Sequence, residues 1–201
     1  CIRDRGALAE LCGAAVWNEG LHAQVSFPTG HANFRGSVPF DAAAIRRAFG
    51  EADLVLLVGG PFFEEVWFMP GSPFPDGAKV VQVEAAPARL AFNHAVDVGL
   101  IGDVRQTLEQ LRGGVAHDIT EAQRTAAAAR NDSLRLAHQA EREAQQARVE
   151  KAWDRTPMSM PRVMAEIKNG LPANAIVVEE AITANVDLAR TIDFDRPGDY
   201  F

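Results

Sequence analysis

The chain has 201 residues, 47% of them hydrophobic, enough to bury a sizeable core in one domain with part of another. Its formal net charge of −7 leaves no basic surplus, which disfavours nonspecific binding to nucleic acid or to an anionic lipid surface. It contains no run of about 18 apolar residues, so no membrane span is expected, and no signal-peptide pattern is present.

Two cysteines, Cys1 and Cys12, have neither metal-ligand spacing nor a disulfide framework, which fits a reducing cytoplasm. The chain opens without Met, in what reads as the body of a helix. Ile2, Leu8, Leu11 and Cys12 are apolar there among Arg3, Asp4, Arg5 and Glu10. It stops at Tyr200-Phe201, after the turn signal Pro197-Gly198. Starting inside one element and stopping as another begins is the expectation for a piece of a longer protein.

The first helix is expected to close at Gly13, and the apolar run 14–17 to form a short buried parallel strand. A long loop, 20–36, follows. Its second half, Phe-Pro-Thr-Gly-His-Ala-Asn-Phe-Arg-Gly at 27–36, reads as a loop built to hold one imidazole. Pro28 stiffens the backbone and biases Phe27 toward extended geometry, while Gly30 and Gly36 permit turns and close approach. His31 lies between them, with Phe27 and Phe34 as anchors. A held imidazole titrates near neutrality and can give and take protons. By itself the pattern is more readily that of a surface histidine with no task.

Asp41 is expected to cap a helix whose apolar face is Ala42, Ala43, Ala44, Ile45, Ala48 and Phe49. Residues 53–60, Asp-Leu-Val-Leu-Leu-Val-Gly-Gly, form a continuous apolar run ended by two glycines, the pattern of a strand buried on both faces of a parallel sheet. An aromatic loop (Phe62, Phe63, Trp67, Phe68, Phe74) leads to strands at 79–83 and 95–101. Gly102-Asp103 then caps a helix over 104–111. Strand–helix alternation of this kind predicts an α/β fold, a parallel Rossmann-like sheet with helices on both faces.

Beyond Gly113-Gly114 the composition turns to Ala, Arg, Glu and Gln. Thr120-Glu121-Ala122-Gln123 reads as a capping box, and a long, mostly solvated linker helix is expected to run to about Trp153. A coiled-coil partner site is disfavoured because no a/d stripe is kept apolar. Pro161 fits the first turn of a helix to Lys168, residues 175–178 a strand, and 183–190 a helix. This reads as the start of a second α/β domain. Glu179, Glu180 and Thr183 follow that strand at its carboxyl end, where ligands sit in such sheets. The two glutamates are equally readable as electrostatic caps of the next helix. No Gly-x-Gly-x-x-Gly, P-loop, zinc spacing or Gly-x-Ser-x-Gly elbow occurs; His22 and His31 share one loop without other ligands.

Four segments in order are similar to a known family: residues 27–36, Asp53-Leu-Val-Leu-Leu-Val-Gly-Gly-Pro-Phe-Phe, Val80-Val-Gln-Val-Glu, and Asp97-Val-Gly-Leu-Ile-Gly-Asp-Val. They resemble the middle domain of thiamine-diphosphate enzymes of the acetolactate synthase and benzoylformate decarboxylase group. The tail, Pro172-Ala-Asn-Ala-Ile-Val-Val-Glu-Glu, resembles the opening of that family's diphosphate-binding domain. The expected organisation is therefore a middle domain at 1–114 without its first strand, a helical linker at 115–156, and the start of the diphosphate-binding domain at 157–201.

Within the group, the loop resembles that of benzoylformate decarboxylases, with His31 in the slot of an active-site histidine. Pro61 stands where flavin-containing acetolactate synthases put an Arg, so flavin is not expected. The resemblance implies a 2-oxo acid substrate, thiamine diphosphate with Mg2+, and a homodimer or homotetramer. It implies a proton or hydrogen-bonding role for His31, and cofactor-facing positions for Glu179, Glu180 and Thr183, although the family's Asn-Glu-Ser-Thr-type sequence is altered here to Glu179-Glu-Ala-Ile-Thr. The Gly-Asp-Gly…Asn segment that holds magnesium and diphosphate in the family does not occur in these residues, so the chain alone is expected to be inactive. The alternatives are an acetolactate synthase-like carboligase and a non-catalytic nucleotide-binding or structural module.

Overall fold

A computed structural model describes residues 2–20, 24–60, 62–63 and 70–201. The expectations that rest on Cys1, His22, Pro61, Trp67 and Phe68 lie outside the described residues.

Helix α1 (Ile2–Cys12) ends at Gly13, whose φ of 58° is left-handed. A side chain at Gly13 would also place its Cβ 2.4 Å from the carbonyl oxygen of Ala127, so the close approach of α1 to the long helix needs glycine on both counts. Strands β1 (Val16–Asn18) and β2 (Phe34–Ser37) form a two-stranded sheet. Helix α2 (Ala42–Phe49) starts as expected, with the Asp41 carboxylate accepting from the Ala44 N–H at 2.8 Å.

Strands β3 (Leu54–Val58), β4 (Lys79–Glu84) and β5 (Val98–Ile101) form a parallel sheet in that order, with Leu57 opposite Gln82 and Val83 opposite Leu100. Helices α3 (Val104–Asp118), α4 (Glu121–Lys151), α5 (Met160–Gly170) and α6 (Asn185–Thr191) complete the α/β fold. The capping box at Thr120 and Gln123 is formed, as its spacing predicts.

Several elements differ from the sequence expectation. Strand β3 lies at an edge of its sheet among the described residues, with Leu54 exposed, and is not covered on both faces. The strand expected over 14–17 spans Val16–Asn18 and pairs with β2 outside the parallel sheet. Helix α3 does not stop at 111 but runs through Gly113 and Gly114 to Asp118. Each glycine costs about 1 kcal/mol against alanine, which weakens a helix without breaking it once the preceding turns are formed. Residues 175–178 do not form a strand. They make one parallel bridge, Val177 to Tyr200, because their only ladder partner among the described residues is the three-residue stretch 199–201.

The chain divides into two compact units: residues 17–22 with 37–118, and residues 2–16, 23–36 and 119–201. The first holds the parallel sheet, over a core of Val38, Ile45, Leu57, Phe63, Phe74 and Val80. The second gathers α1, the histidine loop and the helices from α4 onward, over a core of Val25, Met164, Leu188, Ile192 and Phe194. Burying each such aliphatic or aromatic side chain contributes roughly 1.5–3 kcal/mol.

Candidate active-site loop

The loop 27–36 is fixed from several sides, all within the second unit. At its start, the Arg5 guanidinium of α1 donates to the Ser26 carbonyl at 2.7 Å. Phe27 is buried to 1% exposure, stacks on Phe34 at 6.3 Å and meets the His31 ring edge-on at 5.1 Å. The two aromatic anchors are thus where the sequence put them.

Thr29 exchanges two hydrogen bonds with Phe194: its N–H donates to the Phe194 carbonyl at 3.0 Å, and its hydroxyl accepts from the Phe194 N–H at 2.7 Å. The Gly30 N–H donates to the Asp195 carboxylate at 2.9 Å, so near that a Cβ on Gly30 would lie 3.0 Å from the other carboxylate oxygen. Close approach, not positive φ, is what demands glycine at position 30.

The imidazole is held through both nitrogens. The Asn33 N–H donates to Nδ1 at 3.1 Å. A backbone N–H can only donate, so Nδ1 is the acceptor and the ring proton sits on Nε2. Nε2 lies 3.2 Å from Oε1 of Glu10, and the histidine side chain is 21% exposed. The lone pair that a base would use is therefore occupied, and the ring presents an N–H.

A polar clamp keeps this arrangement. The buried Asn33 amide donates to the Ala14 carbonyl and to the Asn131 side-chain oxygen, both at 2.9 Å. The Asn131 amide donates in turn to the Glu10 carbonyl at 2.7 Å. Next to it, Arg130 donates to the Cys12 carbonyl at 2.7 Å and the Gly13 carbonyl at 3.2 Å, filling acceptors that the end of α1 leaves open. Burial pushes the Cys12 thiol up, against the opposing charge of Arg130. Helix α4 is mostly solvated, as its composition predicts, with only Ala127 and Val149 buried, yet it carries the groups that tie α1 to the histidine loop.

Glu179 accepts from the Tyr200 hydroxyl at 3.0 Å and from the Ala181 N–H. Burial, together with Glu179, pushes the Tyr200 phenol up to about 12. Glu180 and Thr183 are exposed. The polar partners of His31 are Glu10 and Asn33, so direct contact does not bring it together with Glu179, Glu180 or Thr183. The link is indirect: Thr29 docks on Phe194, the Phe194 ring packs on Tyr200 at 4.8 Å, and Tyr200 reaches Glu179. Sequence reasoning missed Glu10, Asn33 and Asn131. The one available signal was Asn131, a poor helix former in the middle of an Ala-rich helix.

Residues 4–111 match the family model of the thiamine pyrophosphate enzyme central domain. The chain belongs to the thiamine pyrophosphate enzyme family. It is 31% identical over 197 residues to a benzoylformate decarboxylase of Pseudomonas aeruginosa, covering 96% of this chain and 33% of that protein. It is 26% identical over 232 residues to a sulfoacetaldehyde acetyltransferase of Castellaniella defragrans, covering all of this chain and 36% of that one. The fold matches the thiamine diphosphate-dependent 4-hydroxybenzoylformate decarboxylase of Rhodococcus jostii with a TM-score of 0.72 at 22% identity, over 100% of this chain and 34% of that chain. The chain thus spans about one third of the length of these family members.

Membership implies thiamine diphosphate, whose diphosphate is anionic and metal-bound. Glu179 and Glu180 do not fit that end of the cofactor. The Glu179 carboxylate is committed to Tyr200 and to its own loop, and with Glu180 it adds negative charge that repels a diphosphate. Among the described residues, no helix is long and apolar enough to cross a membrane.

Proposed function

We propose that this chain is a segment of a thiamine-diphosphate-dependent 2-oxo acid decarboxylase of the benzoylformate decarboxylase kind, and that it contributes His31 to the reaction. The observation that carries this reading is the held imidazole: the Asn33 N–H occupies Nδ1, and a proton remains on Nε2. In this arrangement His31 acts as a hydrogen-bond donor. It would donate to the carbonyl oxygen of the 2-oxo acid, which gains negative charge when its carbon is attacked, while the bound cofactor would take up the electron pair left by carbon dioxide. A role as general base would first require Nδ1 to give up Asn33.

The diphosphate and Mg2+ are held, in this reading, by polypeptide of the longer protein, which assembles as a homodimer or homotetramer in the cytoplasm. Glu179, Glu180 and Thr183 border the site rather than ligate the metal. Loss of a positioned proton-handling group costs about 10²–10⁴-fold in turnover. His31→Ala in the full-length protein is accordingly expected to cut decarboxylation of benzoylformate by that factor in steady-state kinetics. An unchanged kcat removes His31 from the mechanism. Acetolactate as the main product from pyruvate, with no aldehyde from benzoylformate, replaces the decarboxylase reading with the carboligase one.

A further inference from the structure

One face of helix α4 docks the second unit together, and it carries a single imidazole. Asn131, His138, Glu141, Arg142, Gln145 and Arg148 recur at intervals of three, four or seven residues, so they share that face. Five of the six are tied to other elements. Asn131 holds Asn33, Glu141 pairs with Arg35 of β2, and Arg142 grips Asp193 at 2.8 and 2.9 Å. The Gln145 amide donates to the Thr191 hydroxyl at 3.1 Å, and Arg148 reaches Asp187 at 2.8 Å. These ties fix the loop 27–36 from two directions: Arg35 follows directly on Phe34, and residues 194–195 take the backbone at Thr29 and Gly30. His138 sits one turn before Glu141 and Arg142, and it is the member of the row whose charge changes near neutral pH.

His138 is partly buried, and its charged neighbours are Glu141 and Arg142 on its own helix, Arg35 from β2 and Asp193 after α6. Lys168 of α5 stands behind them, 3.7 Å from Asp193. Burial first, then Arg142, push the imidazole below its ordinary 6.5; Arg35 adds to this, while Glu141 and Asp193 oppose it. At pH 7 the ring is therefore neutral, and each carboxylate keeps its arginine. We propose that His138 is an acid-sensitive switch in the docking face of α4: once protonated, it competes with Arg35 for Glu141 and with Arg142 for Asp193, and so loosens the loop 27–36 and residues 193–195 from the helix. The switch needs no particular reaction and no task for His31. Because the folded-state value lies below the ordinary one, the unfolded chain takes up the proton first. The contribution of neutral His138 to stability is complete above 6.5 and is lost as pH falls through the lower folded-state value.

Nuclear magnetic resonance of the 201-residue chain between pH 7.5 and 5.0 tests the switch. Ordinary carboxylates keep their charge over that range. The ring signals of His138, assigned by their loss in His138→Gln, are followed together with the amide protection factors of Thr29, Gly30 and Phe194, corrected for the intrinsic exchange rate. Protection is expected to fall about 3- to 5-fold as His138 titrates, the worth of one partly exposed ion pair. His138→Gln, which stays neutral, is expected to hold its pH 7.5 protection across the range. His138→Lys, which carries the charge throughout, is expected to show the lowered protection already at pH 7.5. The His31 ring titrates under its own signals, so its effect is read separately. A His138 that titrates at or above 6.5, protection that stays flat while it titrates, or a fall that persists in His138→Gln and follows His31 overturns the switch. If His138→Lys does not fold, the comparison with His138→Gln decides alone.

Discussion

Asn131 shows how much one side chain decides in this protein. Its amide group donates to α1 and accepts from Asn33, so it carries the register between the helix that bears Glu10 and the loop that bears His31. Truncation would leave the Asn33 amide, which is 2% exposed, short of an acceptor. An unpaired buried donor costs about 1–3 kcal/mol. Asn131→Ala is therefore expected to lower the unfolding free energy by about 1–2 kcal/mol in urea titrations, and to disturb the His31 signals although the two residues do not touch. His31 itself was legible because Pro28, Gly30 and two phenylalanines surround it in sequence. Asn131 was not, because the groups that give it meaning lie 98 and 121 residues away along the chain.

Two elements invite tests of their own. Helix α3 carries Gly113 and Gly114 on its exposed half, and a Cβ at either would meet nothing within 4 Å. Nothing in the fold asks for glycine there, so the double substitution Gly113→Ala, Gly114→Ala is expected to stabilise by about 1–2 kcal/mol and to slow amide exchange over 110–118.

Helix α4 docks through charge as well as amides. Arg142 forms a two-pronged pair with Asp193 at 2.8 and 2.9 Å, and Arg148 reaches Asp187 at 2.8 Å. Burial pushes the Asp193 carboxyl up, but the hydrogen bonds and charge of Arg142, with Lys168, outweigh it and leave the group below its ordinary 3.8. The pair therefore stabilises fully above that ordinary value, and its contribution is lost as pH falls through the lower folded-state value. Asp193→Asn is expected to cost about 1 kcal/mol at pH 7, discounted for partial exposure, and the difference is expected to shrink as pH falls below 3.8 and through the lower folded-state value. Urea midpoints of the two proteins across that range check it. Polar docking of this kind has no hydrophobic period, which is why a reading by apolar stripes found a linker in α4 and not its attachment to α1 and the histidine loop.

At the scale of the whole molecule, two cores stand on non-contiguous stretches of chain, and the candidate site is assembled in one of them from α1, the loop 27–36, α4 and residues 194–195. Glu179 and Glu180 do not fit a diphosphate or its metal. The 201-residue chain supplied with thiamine diphosphate and Mg2+ is accordingly expected to release no carbon dioxide from benzoylformate, measured with a coupled aldehyde assay. Turnover by the chain alone would contradict the proposed division of labour.

What the sequence by itself determined is the α/β class, the three parallel strands, the caps at Asp41 and Thr120, the family, and the loop that carries His31. Those follow from local pattern: short apolar runs bounded by turn residues, side chains that satisfy a helix end a few residues on, and glycines and prolines that shape a turn. Only the tertiary structure decided which imidazole nitrogen carries the proton, that Glu10 and Asn33 share the ring, and that 175–178 makes a bridge in place of a strand. Each of those depends on a hydrogen-bond partner brought near by folding, and hydrogen bonds act over about 3 Å of space whatever the distance along the chain.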